Sequence, residues 1–201
     1  EGAQISAHPF MKDALQLSGK RLNLPSMPEF RDGLFEVQDV SSQCIGRSCL
    51  PKPGESWWDA CAGSGGKSLQ LACLMRGEGA ILSTDIDRRK IEELERRAAR
   101  ASLRNIGMGL WNGEGAPDGR APFDGVLVDA PCSSSGRWRR NPDARWIADE
   151  AWAKGFPDIQ SRILLAAAGA VRPGGTLVYA TCSLFERENA GVVAKFLESR
   201  P

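Results

Sequence analysis

From Ser56 onward, short apolar runs alternate with segments of helical length and period, and this alternation constrains the fold more than any other feature of the chain. The pattern predicts strands over Ser56 to Cys61, Ala80 to Asp85, Ile106 to Trp111, Gly125 to Asp129 and Thr176 to Ala180. It predicts helices over Lys67 to Met75, Arg88 to Leu103, Ile159 to Val171 and Arg187 to Leu197. Strands joined by helices need right-handed crossovers, so the expected class is α/β: a doubly wound, mainly parallel sheet with helices on both faces. Counted from Ser56, the expected strand order is 3-2-1-4-5. Upstream, Asp39 is placed to cap a short helix that ends near Leu50, ahead of Pro51 and Pro53. Residues 1–38 are punctuated by Pro9, Pro25, Pro28 and Gly33 and predict only short strands or loops. The expected division is a lead-in over 1–38 and one domain over 39–201.

A chain of 201 residues with 42% hydrophobic content can bury one sizeable core without a second domain. Its 26 lysines and arginines against 25 acids leave a net charge of +1, so any basic surface for a polyanion must be local. The six cysteines form no Cys-x-x-Cys pair and no zinc-ligand spacing; they read as reduced thiols, with no metal expected. No apolar run reaches about 18 residues, and Glu1-Gly2-Ala3-Gln4 is not the charged start of a signal peptide. The expectation is a cytoplasmic monomer with no membrane partner. The chain starts without Met and stops within a helical pattern, as a piece of something longer would. The single histidine, His8, lies in the weakly patterned segment without a partner at fixed spacing and reads as incidental.

The turn after the first sheet strand, Ala62-Gly63-Ser64-Gly65-Gly66-Lys67, lets the backbone approach a ligand and opens a helix whose terminal N–H groups can meet an anion. Gly66-Lys67-Ser68 imitates a phosphate-binding loop, but position 61 holds cysteine where that pattern needs glycine. A plain structural turn is the blander alternative. Asp85 ends the next strand, where an acid can accept from ribose hydroxyls; that geometry suits a dinucleotide or S-adenosylmethionine. Asp87 has a simpler role as a helix cap.

Ligands of such sheets bind beyond the carboxyl ends of the strands. Asp129 and Cys132 leave the fourth strand there and Cys182 leaves the fifth, so two sulfurs and a carboxylate converge beside the glycine turn. Buried cysteines are common, and for either one alone that reading competes evenly. Between them, Arg137, Trp138, Arg139, Arg140, Arg145 and Trp146 face the single acid Asp143, a mixture suited to phosphates and unstacked bases or simply to water.

Asp129-Ala130-Pro131-Cys132-Ser133, Arg139-Arg140-Asn141-Pro142-Asp143, Thr181-Cys182-Ser183 and Gly33 to Gln43 (GLFEVQDVSSQ) resemble the Sun/Fmu family of RNA cytosine-C5 methyltransferases. The resemblance spans roughly residues 33–200. It implies a Rossmann-like methyltransferase sheet, S-adenosylmethionine as donor, a cytosine of ribosomal or transfer RNA as acceptor, and a covalent intermediate. It implies Cys182 as nucleophile, Cys132 as the thiol assisting elimination, Asp129 against the target base and Lys67 beside that carboxylate. Cofactor contacts would come from Ala62 to Lys67, Asp85, Asp129 and Asn112, and RNA contacts from Arg137, Arg139, Arg140 and Arg145. The chemistry itself asks for a thiol: C5 of cytosine is a poor nucleophile until a thiolate adds to C6. This chain departs from the family's Ala-Pro-Gly-Gly-Lys loop, and Asn112 stands where an acid is common; Asn can still accept from an adenine amino group. Members continue past position 201 into two further strands, so the sheet edge is expected to be incomplete here. Two other classes compete: a nucleotide-dependent oxidoreductase and a non-catalytic RNA-binding fragment.

Overall fold

The computed structural model, which describes residues 2–117, 121–147 and 154–200, opens with a hairpin of β1 (Ala3–His8) and β2 (Met11–Gly19). A single-turn helix α1 (Pro28–Arg31) and helix α2 (Val40–Ser48) follow. Then come β3 (Ser56–Asp59), α3 (Gly66–Leu74), β4 (Ala80–Asp85), α4 (Arg88–Arg100) and β5 (Ile106–Leu110). The chain continues through β6 (Phe123–Asp129), α5 (Ala144–Ile147), α6 (Phe156–Ala168), β7 (Val171–Ala180) and α7 (Ala190–Ser199).

The main sheet is parallel throughout, in the order β5-β4-β3-β6-β7, which is the expected 3-2-1-4-5 counted from Ser56. Its centre shows why these residues form a strand buried on both faces. Trp57 and Trp58 are neighbours, so their side chains point to opposite faces. Trp57 packs with Leu71, Met75, Ile81 and Leu127, whereas Trp58 packs with Leu82, Trp111, Phe123 and Val126. Gly125 pairs with Trp57 across β3 and β6; a Cβ there would come within 2.3 Å of the indole, so only glycine admits the tryptophan.

Several boundaries differ from the sequence pattern: β3 ends at Asp59 and β6 begins at Phe123, among smaller shifts. The apolar period of α6 carries on to Val171, but the helix stops at Ala168 because Val171 pairs with Phe123 and opens β7; the register then shifts before Gly125 meets Thr176. Helix α4 stops at Arg100, and Ser102 turns the chain at a φ of 55°. Residues Glu186–Glu188 form a separate 3-10 turn before α7.

Asp39 caps α2, its carboxylate accepting from the Ser41 amide at 3.3 Å. The hairpin buries only Met11 and Ala14, and Asp13 pairs with Arg47 of α2 at 2.8 Å. The segment before α2 grips the domain more firmly: Glu36 pairs with Arg97 and Arg100 of α4, and Gln38 donates to Gln70 of α3 at 3.2 Å. Among the described residues no helix is long and apolar enough to cross a membrane. The parallel strands bring the loops after β3, β4, β6 and β7 to one edge of the sheet.

Candidate active site

The glycine turn at that edge is held from three sides. Ala62 donates to the Thr84 carbonyl at 2.8 Å, Gly63 donates to Asp85 Oδ2 at 2.9 Å, and the Ser64 carbonyl accepts from Arg97 at 2.7 Å. Gly63 and Gly65 take φ of 56° and 84°; a Cβ on Gly65 would strike Leu94 of α4 at 2.4 Å, so the left-handed turn and the close helix contact both require glycine there. Asp85 is buried, and its second oxygen accepts from the Asp87 amide at 2.9 Å. It therefore shapes the turn as well as facing it. A cavity of about 590 Å³ runs along the ends of β4 and β5, lined by Thr84, Ile86, Met108, Trp111 and Asn112 among others, and neither the turn nor Asp85 lines it. The Asn112 side-chain oxygen accepts from the Glu114 amide at 3.1 Å, so the acceptor expected to meet an adenine already takes part in a turn.

Lys67, in the first turn of α3, reaches across to Asp129 at the end of β6 and pairs with it at 2.5 Å. Behind them Asp59 is fully buried, with Oδ2 accepting from Ser68 at 2.7 Å and Oδ1 without a partner. Burial raises its pKa to about 7, the Ser68 hydrogen bond opposing and the nearby Asp129 adding.

The loops after β6 and β7 are stitched together by Gly136 donating to the Cys182 carbonyl and Leu184 donating to Ser135 Oγ, each at 2.8 Å. They bring Cys132 Sγ and Cys182 Sγ to 3.3 Å. Cys132 is buried and Cys182 exposed. Ser134, at a left-handed φ of 56°, places its hydroxyl 3.5 Å from Cys182 Sγ. The Cys182 pKa falls to about 6, chiefly through the hydrogen bond from Cys132, aided by Ser134 and the Arg137 guanidinium and opposed by burial and Asp129. Cys132 moves up, because its proton is held by Cys182 and its surroundings are dry. The pair is thus biased toward Cys182 as the more acidic sulfur, with Cys132 as the S–H donor. By contrast, burial pushes the Cys49 thiol up to about 12, and Cys61 moves up for the same reason.

The arginine-rich loop divides by role. The Arg137 guanidinium helps lower the Cys182 pKa. Arg140 is drawn to Asp39 at the cap of α2 rather than left wholly to solvent. Arg139 and Arg145 are exposed. Trp146 is 86% exposed, whereas Trp138 is half-buried and packs edge-on against Phe185. Among the described residues no group of three or more His, Cys, Asp or Glu is arranged to hold a metal ion.

Several residues in this site escaped the sequence reading: Arg97 and Glu36 behind the glycine turn, Asp59 behind Lys67, and Glu188 between the cysteine loops. Only Glu36 had a signal, since it lies within the Gly33 to Gln43 stretch.

A sequence model of the 16S rRNA methyltransferase RsmB/F family matches residues 48–201. The chain is 35% identical over 192 residues to the probable ribosomal RNA small subunit methyltransferase B of Synechocystis sp., covering 94% of this chain and 43% of that protein. Among solved structures, a methyltransferase homolog protein from Pyrococcus horikoshii superposes with a TM-score of 0.85 at 32% identity, over 98% of this chain and 62% of that one. NSun6 from the same organism, solved with SFG, superposes with a TM-score of 0.82 at 26% identity, over 91% of this chain and 46% of that one. The chain spans about half the length of the curated relatives it matches, 43% of the Synechocystis protein and 45% of the probable ribosomal RNA small subunit methyltransferase B of Bacillus subtilis, to which it is 34% identical over 203 residues.

Proposed function

Because the chain belongs to the 16S rRNA methyltransferase RsmB/F family, we propose that it forms the catalytic module that methylates C5 of a cytosine in ribosomal RNA, with S-adenosylmethionine as donor and Cys182 as nucleophile. The observation that carries this reading is the 3.3 Å contact between an exposed cysteine, Cys182, and a buried one, Cys132, at the carboxyl edge of the sheet.

The residues present fit the donor. Gly63 stands in open space where a ligand can approach the backbone, Asp85 offers a buried carboxylate beside it, and the 590 Å³ cavity along the ends of β4 and β5 has the size and partly apolar wall a nucleoside needs. When bound, S-adenosylmethionine supplies an electrophilic methyl group. The protein's own work is to make C5 electron-rich. Cys182 Sγ adds to C6, forming the S–C bond and turning the ring into an enamine whose electron pair is available at C5. The Lys67–Asp129 pair offers hydrogen bonding to the ring nitrogen on which charge develops. Once C5 is methylated, its proton leaves to solvent water, the C5–H electron pair re-forms the C5–C6 double bond, and the S–C pair returns to Cys182. Cys132 assists that last step by donating its S–H to the departing thiolate, the same hydrogen bond that holds Cys182 low before the reaction.

Incubating the chain with an unmodified 16S rRNA transcript and methyl-labelled S-adenosylmethionine tests the reading. Label on cytosine C5 is the expected result; label on another atom, or none, contradicts it.

A further inference from the structure

Glu188 has no solvent-exposed surface, although its neighbours Glu186 and Arg187 are charged residues in the same 3-10 turn. Its carboxylate is divided between the two cysteine loops. Oε2 accepts from the amide of Ser133, the residue after Cys132, at 2.9 Å. Oε1 accepts from the hydroxyl of Ser183, the residue after Cys182, at 2.8 Å. Gln160 of α6 closes the arrangement, donating from one Nε2 to Glu188 Oε2 at 3.1 Å and to the carbonyl of Pro131, the residue before Cys132, at 2.9 Å. The Ser133 and Ser183 hydroxyls meet at 3.0 Å, and Tyr179 donates to the Glu188 carbonyl at 2.7 Å.

A buried carboxylate bonded only to neutral donors is an expensive way to fill a core, and apolar side chains of similar volume would serve packing as well or better. What apolar side chains cannot do is fix two separate loops in register through directed bonds. Glu188 remains ionised there: burial works against the charge, but the hydrogen bonds from Ser133, Ser183 and Gln160 outweigh it and lower the pKa.

We propose that Glu188 is a positioning residue of the thiol pair, holding Ser133 and Ser183 on one carboxylate so that Cys132 and Cys182 stay in sulfur–sulfur contact. The effect on turnover rests on the reading of Cys182 as nucleophile; the effect on the thiols does not. If the loops separate, Cys182 loses the S–H donor that chiefly holds it down and returns toward the ordinary thiol range.

The experiment compares the purified chain with Glu188→Gln, which keeps the volume but puts a donor where an acceptor is needed, and with Ser183→Ala, which removes one arm only. Cys182 alkylation by iodoacetamide is followed against pH without RNA, on variants shown to be folded by circular dichroism and a cooperative melt; methyl transfer to the 16S rRNA transcript is measured in parallel. Glu188→Gln is expected to raise the alkylation midpoint by about one unit, cutting the thiolate fraction at pH 6 about fivefold. It should also lower kcat while leaving KM for RNA near the parent value. Ser183→Ala should move the midpoint in the same direction by less, and it carries the test alone if Glu188→Gln does not fold. An unchanged midpoint in a folded variant overturns the proposal, as does a raised KM with kcat and midpoint intact. If the midpoint shifts but neither parent nor variant methylates RNA, the positioning role stands and the proposed reaction fails.

Discussion

Lys67 Nζ stands 2.5 Å from Asp129 Oδ2, joining the first turn of α3 to the end of β6, with only 14% and 30% of the two side chains exposed. Removing one member of so enclosed a pair strands the other charge. Lys67→Met should therefore destabilise the chain by about 1–3 kcal/mol, with Asp129→Asn recovering part of that loss in the double variant. Urea unfolding of the four proteins in the cycle measures the coupling, and strictly additive single effects would show that the pair carries none.

Asp59 gives the fold a pH dependence of definite sign. Its folded pKa of about 7 lies above the unfolded value of about 3.9, so the folded chain binds a proton that the unfolded chain releases. The stability it contributes is complete below pH ~4, declines as pH rises toward 7 and is gone above that. Asp59→Asn should remove this decline and gain roughly 2–4 kcal/mol relative to the parent at pH 8. Chemical denaturation at pH 5 and pH 8 checks it; an equal difference between parent and variant at both values would contradict the assignment.

Asp85→Ala removes the carboxylate that accepts from Gly63 and Asp87 at the mouth of the turn. S-adenosylmethionine affinity should weaken by about 1–3 kcal/mol, the usual cost of losing a charge-assisted acceptor. Calorimetry that found the parent affinity in the variant would take Asp85 out of the cofactor site.

Arg139→Ala with Arg145→Ala should weaken RNA binding and reduce its salt slope by about 1.4, the figure for two phosphate contacts on a single strand. Arg140→Ala is a different experiment, because that guanidinium also holds Asp39 and its loss should loosen the cap of α2. Filter binding across a salt series separates the two, and a parallel salt slope in the Arg139 and Arg145 double variant would remove both from the RNA contact.

The strand order and the meeting of Cys132 with Cys182 were legible in the sequence because both follow from local pattern: alternating strands and helices set the topology, and the topology sends the ends of β6 and β7 to one edge. The start of β7 was not legible, since Val171 continues the apolar period of α6 and only its pairing with Phe123, 48 residues upstream, makes it a strand. The bracing residues were hidden for a related reason. Glu188 lies in the run Glu186-Arg187-Glu188-Asn189, which reads as the charged start of a helix, while its partners Ser133 and Gln160 lie 55 and 28 residues away. Arg97 looks like one more exposed charge on α4 until the fold brings Ser64 and Glu36 against it. Asp59 lies within the run Ser56 to Cys61 and reads as one more strand residue; its full burial depends on β4 and β6 pairing on either side of it.

The thiols can be told apart by the step each serves, since forming an S–C bond and breaking it leave different species behind. Each single variant is incubated with S-adenosylmethionine and the 16S rRNA transcript, then run on a denaturing gel that retains covalent protein–RNA adducts. Cys182→Ala should give neither methylated RNA nor adduct, because C5 is not activated without attack at C6. Cys132→Ala should still attack and transfer methyl but release product slowly, so a methylated adduct accumulates. An adduct that appears with Cys182→Ala and is missing with Cys132→Ala would reverse the two roles, and the absence of any adduct from both variants, and from the parent on RNA containing 5-fluorocytosine, would contradict covalent catalysis by this chain.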